Sequence, residues 1–469
     1  MRLIDCTLRE GQQAAGVRFD VQQSLHIARL LADVGVDMIE CGHPSANRNE
    51  MDRVSALVRA DLGLPVLAHA RARRDDINAV VQTGAEWVGL FLGVNAQSCR
   101  SRVSVRSTGE VLDLIADSVA YAKSLGLRVR YTVEDATRTP LDLLELAYRR
   151  ALEAGADRIT FSDTVGCYTP EQIGWAVDWM RSSFPNRDLE VHLHDDRGLS
   201  LANALSAISH GAHWVSCSVN GLGERCGITD LATLMANLHV DDVRTLAHPE
   251  VLQELSRVVG AYARAHPDAR RPIVGANAFT HCAPLHRSAV EREANIYSWI
   301  DPAELGRANR LYAAYLPERP EDLVVKPPII SASELQFHRH GPGWRYVMMD
   351  DRFVNDARQY CILRKIPQID DFGAGHVDDH VHGCDSLFMF VGEEPDLTGL
   401  HVEVVLADAI LPVSSPASVF IPAGMRHSYR VVGGAGFYFN HVLAGDYNSS
   451  LLFQEEPKAG ADAALDAVA

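Results

Sequence analysis

Two histidines separated by a single leucine, His192 and His194, lie in the run Glu190–Asp195, whose composition is that of a β-strand. Side chains two apart on a strand point to the same face, so this spacing brings two imidazoles together. Two imidazoles joined by a carboxylate make a ligand set for a divalent ion, and zinc, manganese, iron and magnesium all accept it. The same set serves non-haem iron oxygenases. A carboxylate is offered by the stretch Leu3–Gln13, Leu-Ile-Asp-Cys-Thr-Leu-Arg-Glu-Gly-Gln-Gln, in which an apolar strand runs directly into Arg9 and Glu10. Taken alone, Arg9 and Glu10 could be a surface ion pair. Beside the two histidines, Glu10 becomes the candidate third ligand and Arg9 is left to face a substrate oxygen.

The elements that must position these groups can be read from periodicity. From residue 3 to about 240, short β-rich runs alternate with longer amphipathic segments. The strand candidates are Leu3–Leu8, Val36–Cys41, Pro65–Ala70, Trp87–Leu92, Arg128–Val133, Arg158–Asp163, Glu190–Asp195 and Trp214–Val219. Gly35, Gly84, Gly155 and Gly211 each stand where a helix would end just before the next strand. Eight βα units of this length predict an α/β fold of the (β/α)8 TIM-barrel type. A doubly wound open sheet is the alternative, but no Gly-rich phosphate loop follows the first strand. In the closed barrel strands 1 and 7 lie near each other, which lets Glu10 reach the histidines.

Strand C-terminal ends converge on one face of such a barrel. The polar residues expected there are Arg9, Glu10 and Gln13 from strand 1, Glu40 and His43 from strand 2, and His69, Arg71 and Arg73 from strand 3. Strand 5 adds Arg130, Thr132 and Glu134, and strand 6 adds Asp163 and Thr164. Strand 7 contributes His192, His194, Asp195 and Asp196, and the last unit contributes Asn220-Gly-Leu-Gly-Glu-Arg225.

At 469 residues the chain allows two or three domains. The net charge of -17 argues against a nucleic-acid surface and, with no lysine-rich run, against an anionic membrane. The N-terminus shows no signal-peptide pattern, and no apolar run approaches the roughly 20 residues of a spanning helix. Nine cysteines without a CxxC pair suit reduced thiols, hence a cytoplasmic protein.

Beyond the barrel, residues 241–328 read as a small helical subdomain, with a helix around Pro249–Ala265 and a segment Phe279–Leu311 rich in histidine, charge and aromatics. Lys326-Pro-Pro328 breaks the chain. From 329 to 448 the pattern is all-β, with strands at Leu387–Val391, Leu400–Leu406, Ser418–Ile421 and Phe437–His441. Residues 449–469, rich in alanine and acids, read as a disordered tail.

Asp-Cys-Thr-Leu-Arg-Glu-Gly-Gln-Gln, His-Leu-His-Asp-Asp and Gly-Leu-Gly-Glu-Arg-Cys-Gly-Ile-Thr resemble, in this order, the motifs of the metal-dependent Claisen-condensing and aldolase-like barrels. That group includes isopropylmalate, citramalate and homocitrate synthases and hydroxymethylglutaryl-CoA lyase. Arg-Glu-Gly in place of Arg-Asp-Gly, and Gly-Ile-Thr at 227–229 in place of Gly-Asn-Thr, point to the homocitrate synthase branch. Arg130-Tyr-Thr-Val-Glu-Asp135 and Asp163-Thr-Val-Gly166 resemble that family's strand 5 and 6 motifs, and Phe279-Thr-His-Cys-Ala-Pro-Leu-His286 is similar to a degenerate form of its post-barrel motif. The resemblance spans roughly residues 1–310.

It implies a transferase that condenses acetyl-CoA with a 2-oxo acid at a metal held by Glu10, His192 and His194. Arg9 would stabilise the alkoxide. His286, oriented by Tyr297 or Glu224 and reaching into the partner's barrel of a homodimer, would be the base, with Glu134 also among the catalytic candidates. An exposed helix histidine is the alternative for His286. Gln13, His43, Arg130, Thr132 and Thr164 would bind the acceptor. Ala70-Arg-Ala-Arg73 stands where the family tends to carry a histidine-bearing motif, and Arg73 could hold a more highly charged anion. The expected acceptor is therefore acidic: 2-oxoglutarate, oxaloacetate or a phosphonate analogue of pyruvate. A retro-aldol lyase and a catalytically weakened barrel serving as a platform are the alternatives.

In the C-terminal region, Gly375-His-Val-Asp-Asp-His380-Val-His382 and Pro422-Ala-Gly-Met-Arg-His427 resemble the two motifs of a cupin barrel. The resemblance implies a second metal on His380, His382 and His427. The glutamate expected four residues after His382 is Ser386, with Asp385 beside it, so a metal-free barrel for assembly or ligand sensing is equally open.

Overall fold

The computed structural model describes residues 1–102, 107–312, 324–339, 343–354, 357–369 and 377–452. Gly375 and His376 of the second histidine motif, and the acidic end at 455–469, lie outside them. The chain forms two compact units, Met1–Ala313 and Ala314–Ala469.

The first unit contains a closed barrel of eight parallel strands in sequence order, which excludes the open sheet. Its βα units are β1 (Arg2–Asp5), α1 (Val21–Val34), β2 (Met38–Gly42), α2 (Arg48–Arg59), β3 (Val66–Arg71), α3 (Arg74–Thr83), β4 (Trp87–Phe91), α4 (Ala96–Arg102) and α5 (Thr108–Ser124). They continue with β5 (Arg128–Val133), α6 (Leu141–Glu153), β6 (Arg158–Asp163), α7 (Pro170–Ser183), β7 (Asp188–Leu193), α8 (Ser200–Ser209), β8 (Trp214–Cys217) and α9 (Leu231–Val240). Closure is by β8 on β1, with Leu3 opposite Val215. Gly35, Gly84, Gly155 and Gly211 all have positive φ at the ends of α1, α3, α6 and α8, the helix-ending role expected of them.

Strand β1 is shorter than its apolar run. The Asp5 carboxylate accepts hydrogen bonds from the Thr7 amide and hydroxyl, and the Cys6 carbonyl then accepts from the amides of Arg9, Glu10 and Gly11. This tight turn swings Arg9 and Glu10 over the barrel mouth.

Instead of being purely apolar, the barrel interior holds an alternating chain of buried charges. Arg158, 1% exposed, lies with its guanidinium 3.5 Å from the Trp214 ring centre and 4.7 Å from that of Trp87. It donates to Glu190 (3.0 Å), which also accepts from Arg130 (3.0 Å) and the Ser216 hydroxyl (3.1 Å). Arg130 donates to Glu40 (2.8 Å), Glu40 accepts from Arg9 Nε (2.6 Å), and Arg9 Nη1 donates to Glu10. Room for this chain depends on Gly89 of β4, which faces His69 and Arg130 across the sheet. A Cβ there would come within 2.7 Å of the His69 ring and 2.8 Å of Arg130 Nη2.

After α9 the unit adds α10 (Pro249–Ala263), β9 (Thr280–His281), α11 (Pro284–Val290) and β10 (Arg310–Leu311). Tyr262 of α10 bonds His26 of α1 (2.9 Å), so this segment packs on the barrel. The expected helical subdomain is thus helical mainly in α10. Pro267 and Pro272 fall in the loop and turns after α10, while Pro284 and Pro302 each open only a short helical piece.

The second unit is an antiparallel sheet of β11 (Ile329–Ile330), β12 (Arg345–Met349), β13 (Tyr360–Ile369), β14 (Ser386–Gly392), β15 (Leu400–Leu406), β16 (Ala409–Ser414), β17 (Ala417–Ile421) and β18 (His427–Val442). The order is β11-β12-β13-β18-β14-β17, with β15 bridging β16 and β18. Strand β18 spans 16 residues, of which only the end was legible as Phe437–His441. Alternation along β14 turns Phe388 and Phe390 inward to meet Ile362, Tyr429 and Tyr438.

Glu190 serves two buried arginines at once, and removing it leaves Arg158 without a carboxylate and Arg130 with Glu40 alone. Glu190→Leu is expected to lower unfolding free energy by about 3 to 5 kcal/mol, read as a shifted denaturant midpoint. An unchanged midpoint would show that the chain of charges does not support the barrel.

Candidate active site and a second histidine cluster

At the C-terminal mouth of the barrel a cavity of about 420 Å³ is lined by Arg9, Glu10, Gln13, His43, His69, Arg130, Thr132, Glu134, Thr164, His192, His194 and Glu224. Glu10, His192 and His194 are all buried and present ligand atoms within 4.8 Å of one another. The Nε2 atoms of the histidines stand 3.9 and 4.0 Å from the Glu10 carboxylate. That is too long for hydrogen bonds but close to the span of two metal–ligand bonds of roughly 2 Å each. The residues therefore fit a divalent ion.

The loop after β8 fixes Glu10. The Glu224 amide donates to its Oε1 (3.0 Å), and the close packing of this loop requires Gly227, whose φ is +86 and whose added Cβ would fall 1.8 Å from the Gly221 carbonyl oxygen. Arg225 ties the same loop down through two 2.8 Å bonds to Asp196 and one of 2.7 Å to the Thr164 carbonyl.

Electrostatics prepare the ligands. Burial pushes the Glu10 carboxyl up, but the Arg9 charge, with the hydrogen bond from the Glu224 amide, holds it below the usual value. Burial, then His194 and Arg9, push His192 down to about 3, and burial lowers His194 as well. The carboxylate is thus charged and both imidazoles neutral, the protonation states that ligation needs. Burial acts against the charge on Arg9, yet Glu40 and Glu10 keep it firmly protonated.

On the β2–β3 side, His69 and His43 share a hydrogen bond of 3.1 Å, and His69 stacks on Phe91 with ring centres 4.7 Å apart. Burial, with Arg9 next, pushes His43 down to about 4, and burial holds His69 well below the ordinary value against the pull of Glu40. The hydroxyls of Thr132 and Thr160 line the cavity, buried and without a hydrogen-bond partner among the described residues. The Thr164 hydroxyl accepts from the Asp135 amide (2.8 Å).

Three expected site residues are placed differently. Arg73 is exposed at the start of α3 and lines a separate groove, because β3 ends at Arg71 and the next residues turn outward. His286 is exposed on α11, stacked on Tyr297 at 4.1 Å, and neither lines the cavity of its own chain. Arg130 does reach the cavity, but its Nη1 is engaged by Glu40 and Glu190. Conversely, His69 emerges as a lining residue of more weight than Arg73. Its place two residues before the end of β3 was the available signal. Phe91, Thr160 and Ser162, also in the lining, carried no sequence signal of their own.

The family model described as HMGL-like matches residues 1–259. The chain belongs to this family. Within it, the homocitrate synthase of Pyrococcus horikoshii is 39% identical over 311 residues, 66% of this chain and 85% of the relative. Homocitrate synthase AksA of Methanopyrus kandleri is 38% identical over 308 residues, 66% of this chain and 77% of that one. These likenesses put this HMGL-like chain in the homocitrate synthase and isopropylmalate synthase group. Among solved structures, the HMG-CoA lyase of Bacillus subtilis superposes with a TM-score of 0.52 at 20% identity, covering 57% of this chain and 94% of that one, a likeness of fold.

In the second unit, His380, His382 and His427 are buried and bring ligand atoms within 4.8 Å of one another. Each Nδ1 is tied outward: to the Asp378 carbonyl (2.8 Å), the Ser450 hydroxyl (2.7 Å) and the Met425 carbonyl (2.8 Å). Carbonyls only accept, and Ser450 gives its own proton to the Tyr447 carbonyl (2.6 Å), so all three Nδ1 atoms carry hydrogen. Three Nε2 lone pairs are left facing inward. Those of His382 and His427 have no hydrogen-bond partner among the described residues, and that of His380 meets the Tyr447 hydroxyl at 3.0 Å. Asp385 is not a further ligand, since it accepts from the Ala423 amide (2.8 Å) in the turn before β18.

Burial, with His380 next, pushes His427 down to about 3, much as burial does for His192. The unfolded chain, with ordinary histidines near 6.5, therefore binds more protons than the folded one between these values. Stability falls as pH drops through that window. Chelator-treated protein is expected to lose about 1 kcal/mol per histidine for each pH unit below 6.5. Denaturant midpoints at about pH 7 and about pH 5 check this, and equal midpoints would contradict the neutral buried imidazoles.

Proposed function

We propose that the chain is an acetyl-CoA-dependent 2-oxo acid acetyltransferase that works on an acidic acceptor. The observation that carries this reading is the triad Glu10, His192 and His194 set beside Arg9 in one buried cavity. The relatives named homocitrate synthase, at 34 to 39% identity, favour condensation over retro-aldol cleavage.

A divalent ion on Glu10, His192 and His194 would supply Lewis acidity to the acceptor carbonyl. Arg9, fixed by Glu40 and Glu10, stands ready to stabilise the alkoxide as the new C–C bond forms. The proton leaving the acetyl methyl group needs a base, and this reading assigns it to His286 of the partner subunit in a homodimer, with Tyr297 holding the ring. Leu285, Ile296 and Trp299, 82%, 50% and 54% exposed around these two residues, give that segment the apolar surface an interface requires. Glu134 and Glu224 at the cavity wall are candidates to relay the proton. Water then cleaves the thioester and releases free CoA.

Charge balance supports the acidic acceptor. In the buried chain Arg9, Arg130 and Arg158 match Glu10, Glu40 and Glu190, while His43, His69, His192 and His194 are held neutral. A divalent ion would add two uncompensated charges, which a doubly anionic 2-oxo acid neutralises and a singly anionic one does not. Its distal anion would find His69, Gln13 and the unsatisfied Thr132 hydroxyl. 2-Oxoglutarate, oxaloacetate and a phosphonate analogue of pyruvate all meet this requirement.

For the second unit we propose a cupin-like barrel with a metal on His380, His382 and His427. Its support is the convergence of three neutral Nε2 atoms, two of them otherwise unsatisfied.

Thiol release from acetyl-CoA, measured with a panel of 2-oxo acids, is expected only with acidic acceptors and added metal. Turnover confined to 2-oxoisovalerate would overturn the acceptor class, and silence across the panel would overturn the transferase. Glu10→Gln is expected to abolish turnover and remove one bound metal per chain. The pair His382→Gln and His427→Gln is expected to remove a second equivalent; metal content unchanged in either variant would displace the corresponding site.

A further inference from the structure

The groove that takes Arg73 away from the acceptor cavity has a chemistry of its own. It has a volume of about 610 Å³, and Arg48, Arg71, Arg73, Asp75 and Asp76 supply its charged lining. Three arginines stand against the two acids of the lining, with Asp52 beside Arg48, so the surroundings are balanced on a protein of net charge -17. The three guanidinium groups are not equivalent. Arg71 is locked to Asp76 by bonds of 2.6 and 2.9 Å. Among the described residues Arg48 is held only by exposed Asp52, at 3.1 Å, a pair that solvent weakens. Arg73 has no carboxylate partner among the described residues, and its exposed side chain is left to bind something else.

The groove lies beside the active site along two paths of the backbone. His43 lines the acceptor cavity and its neighbour Pro44 lines the groove. His69 lines the cavity and Arg71, two residues further along β3, lines the groove, a separation of about 7 Å on a strand. A ligand that reacts over Glu10 and is held by an anionic end in the groove must reach from one to the other. An acyl-CoA can do so, with a thioester at one end, a phosphate-bearing nucleotide at the other and a flexible pantetheine arm between them that folds to the distance required.

Resting on the acetyltransferase reading, we propose that this groove is the anchoring site for the phosphate groups of the acyl-CoA cosubstrate, with Arg73 as the principal contact and Arg48 as the second. Guanidinium groups suit the task because their planar forks bind phosphate oxygens bidentately. Asp76, neutralised by Arg71, does not repel the ligand. Arg73 thereby contributes to cosubstrate affinity and not to choice of acceptor.

Calorimetric titration of free CoA tests the assignment without requiring turnover. Arg73→Gln is expected to weaken CoA binding about tenfold and Arg48→Gln severalfold, while affinity for the 2-oxo acid does not move. Acetyl-pantetheine, which lacks the nucleotide and its phosphates, is expected to bind wild type and Arg73→Gln equally. Dephospho-CoA separates the two phosphate sources: a retained Arg73 penalty identifies the diphosphate, a lost one identifies the ribose phosphate, and either supports the site. Equal CoA affinity for wild type and both variants overturns the groove while leaving the transferase intact. Wild type that binds no CoA overturns the transferase reading itself, and the groove assignment with it.

Discussion

The buried chain Arg158–Glu190–Arg130–Glu40–Arg9–Glu10 sets the conditions for everything at the barrel mouth. Each charge in it is out of water, where an unpaired ion costs several kcal/mol, so the sequence of signs cannot be altered at one place without consequence at the next. The chain begins among Trp87 and Trp214 and ends on the Glu10 carboxylate that faces the two histidines. An ordinary apolar core would hold the strands together equally well. The ionic one also fixes the orientation of Arg9, because Nε is committed to Glu40 and Nη1 to Glu10. A cation that does not reorient during the reaction is the form of electrostatic stabilisation that acts most strongly in a site shielded from water.

The same neutrality explains the state of the histidines. A cavity with an excess of buried negative charge would draw protons onto His192 and His194 and spoil them as ligands. With the guanidinium and carboxylate groups balanced, burial dominates, and the imidazoles stay neutral. Gly89 belongs to this arrangement although it has no side chain, since the space it leaves is filled by His69 and Arg130.

Much of this was legible in the sequence because it is local. Eight strand–helix alternations with helix-ending glycines are short-range patterns, and they predict the barrel. The two-residue spacing of His192 and His194 is local too. Glu190 went unnoticed since its meaning lies in partners 60 and 32 residues away, Arg130 and Arg158. The outward position of Arg73 is illegible for a different reason: sequence gives the neighbourhood of a strand end but not the residue at which the chain turns outward. In the second unit, β12, β13 and β16 lack clean alternation of polar and apolar residues, while the histidine motifs stand out by composition alone. The outward hydrogen bonds that fix their tautomers are donated to carbonyls and to Ser450, which no motif marks.

The two histidine clusters differ in one respect that bears on what each could bind. A divalent ion held by Glu10, His192 and His194 would have one carboxylate among its ligands, but Glu10 also balances the arginines of the buried chain, so the cavity as a whole would gain two positive charges. An ion held by three neutral imidazoles would keep both, since Ser386 has no carboxylate and that of Asp385 is engaged by the Ala423 amide. Burying that charge among Phe388, Tyr429 and Tyr447 is unfavourable unless an anion arrives with the metal or the Tyr447 hydroxyl, 3.0 Å from His380 Nε2, gives up its proton. Burial pushes the Tyr447 hydroxyl well above its ordinary value, so ionisation of the free side chain is disfavoured and an added anion is the more economical way to balance the charge. The first site is thus suited to a substrate that brings its own charges to a balanced cavity. On the proposed reading, the second would take its metal together with a counter-ion.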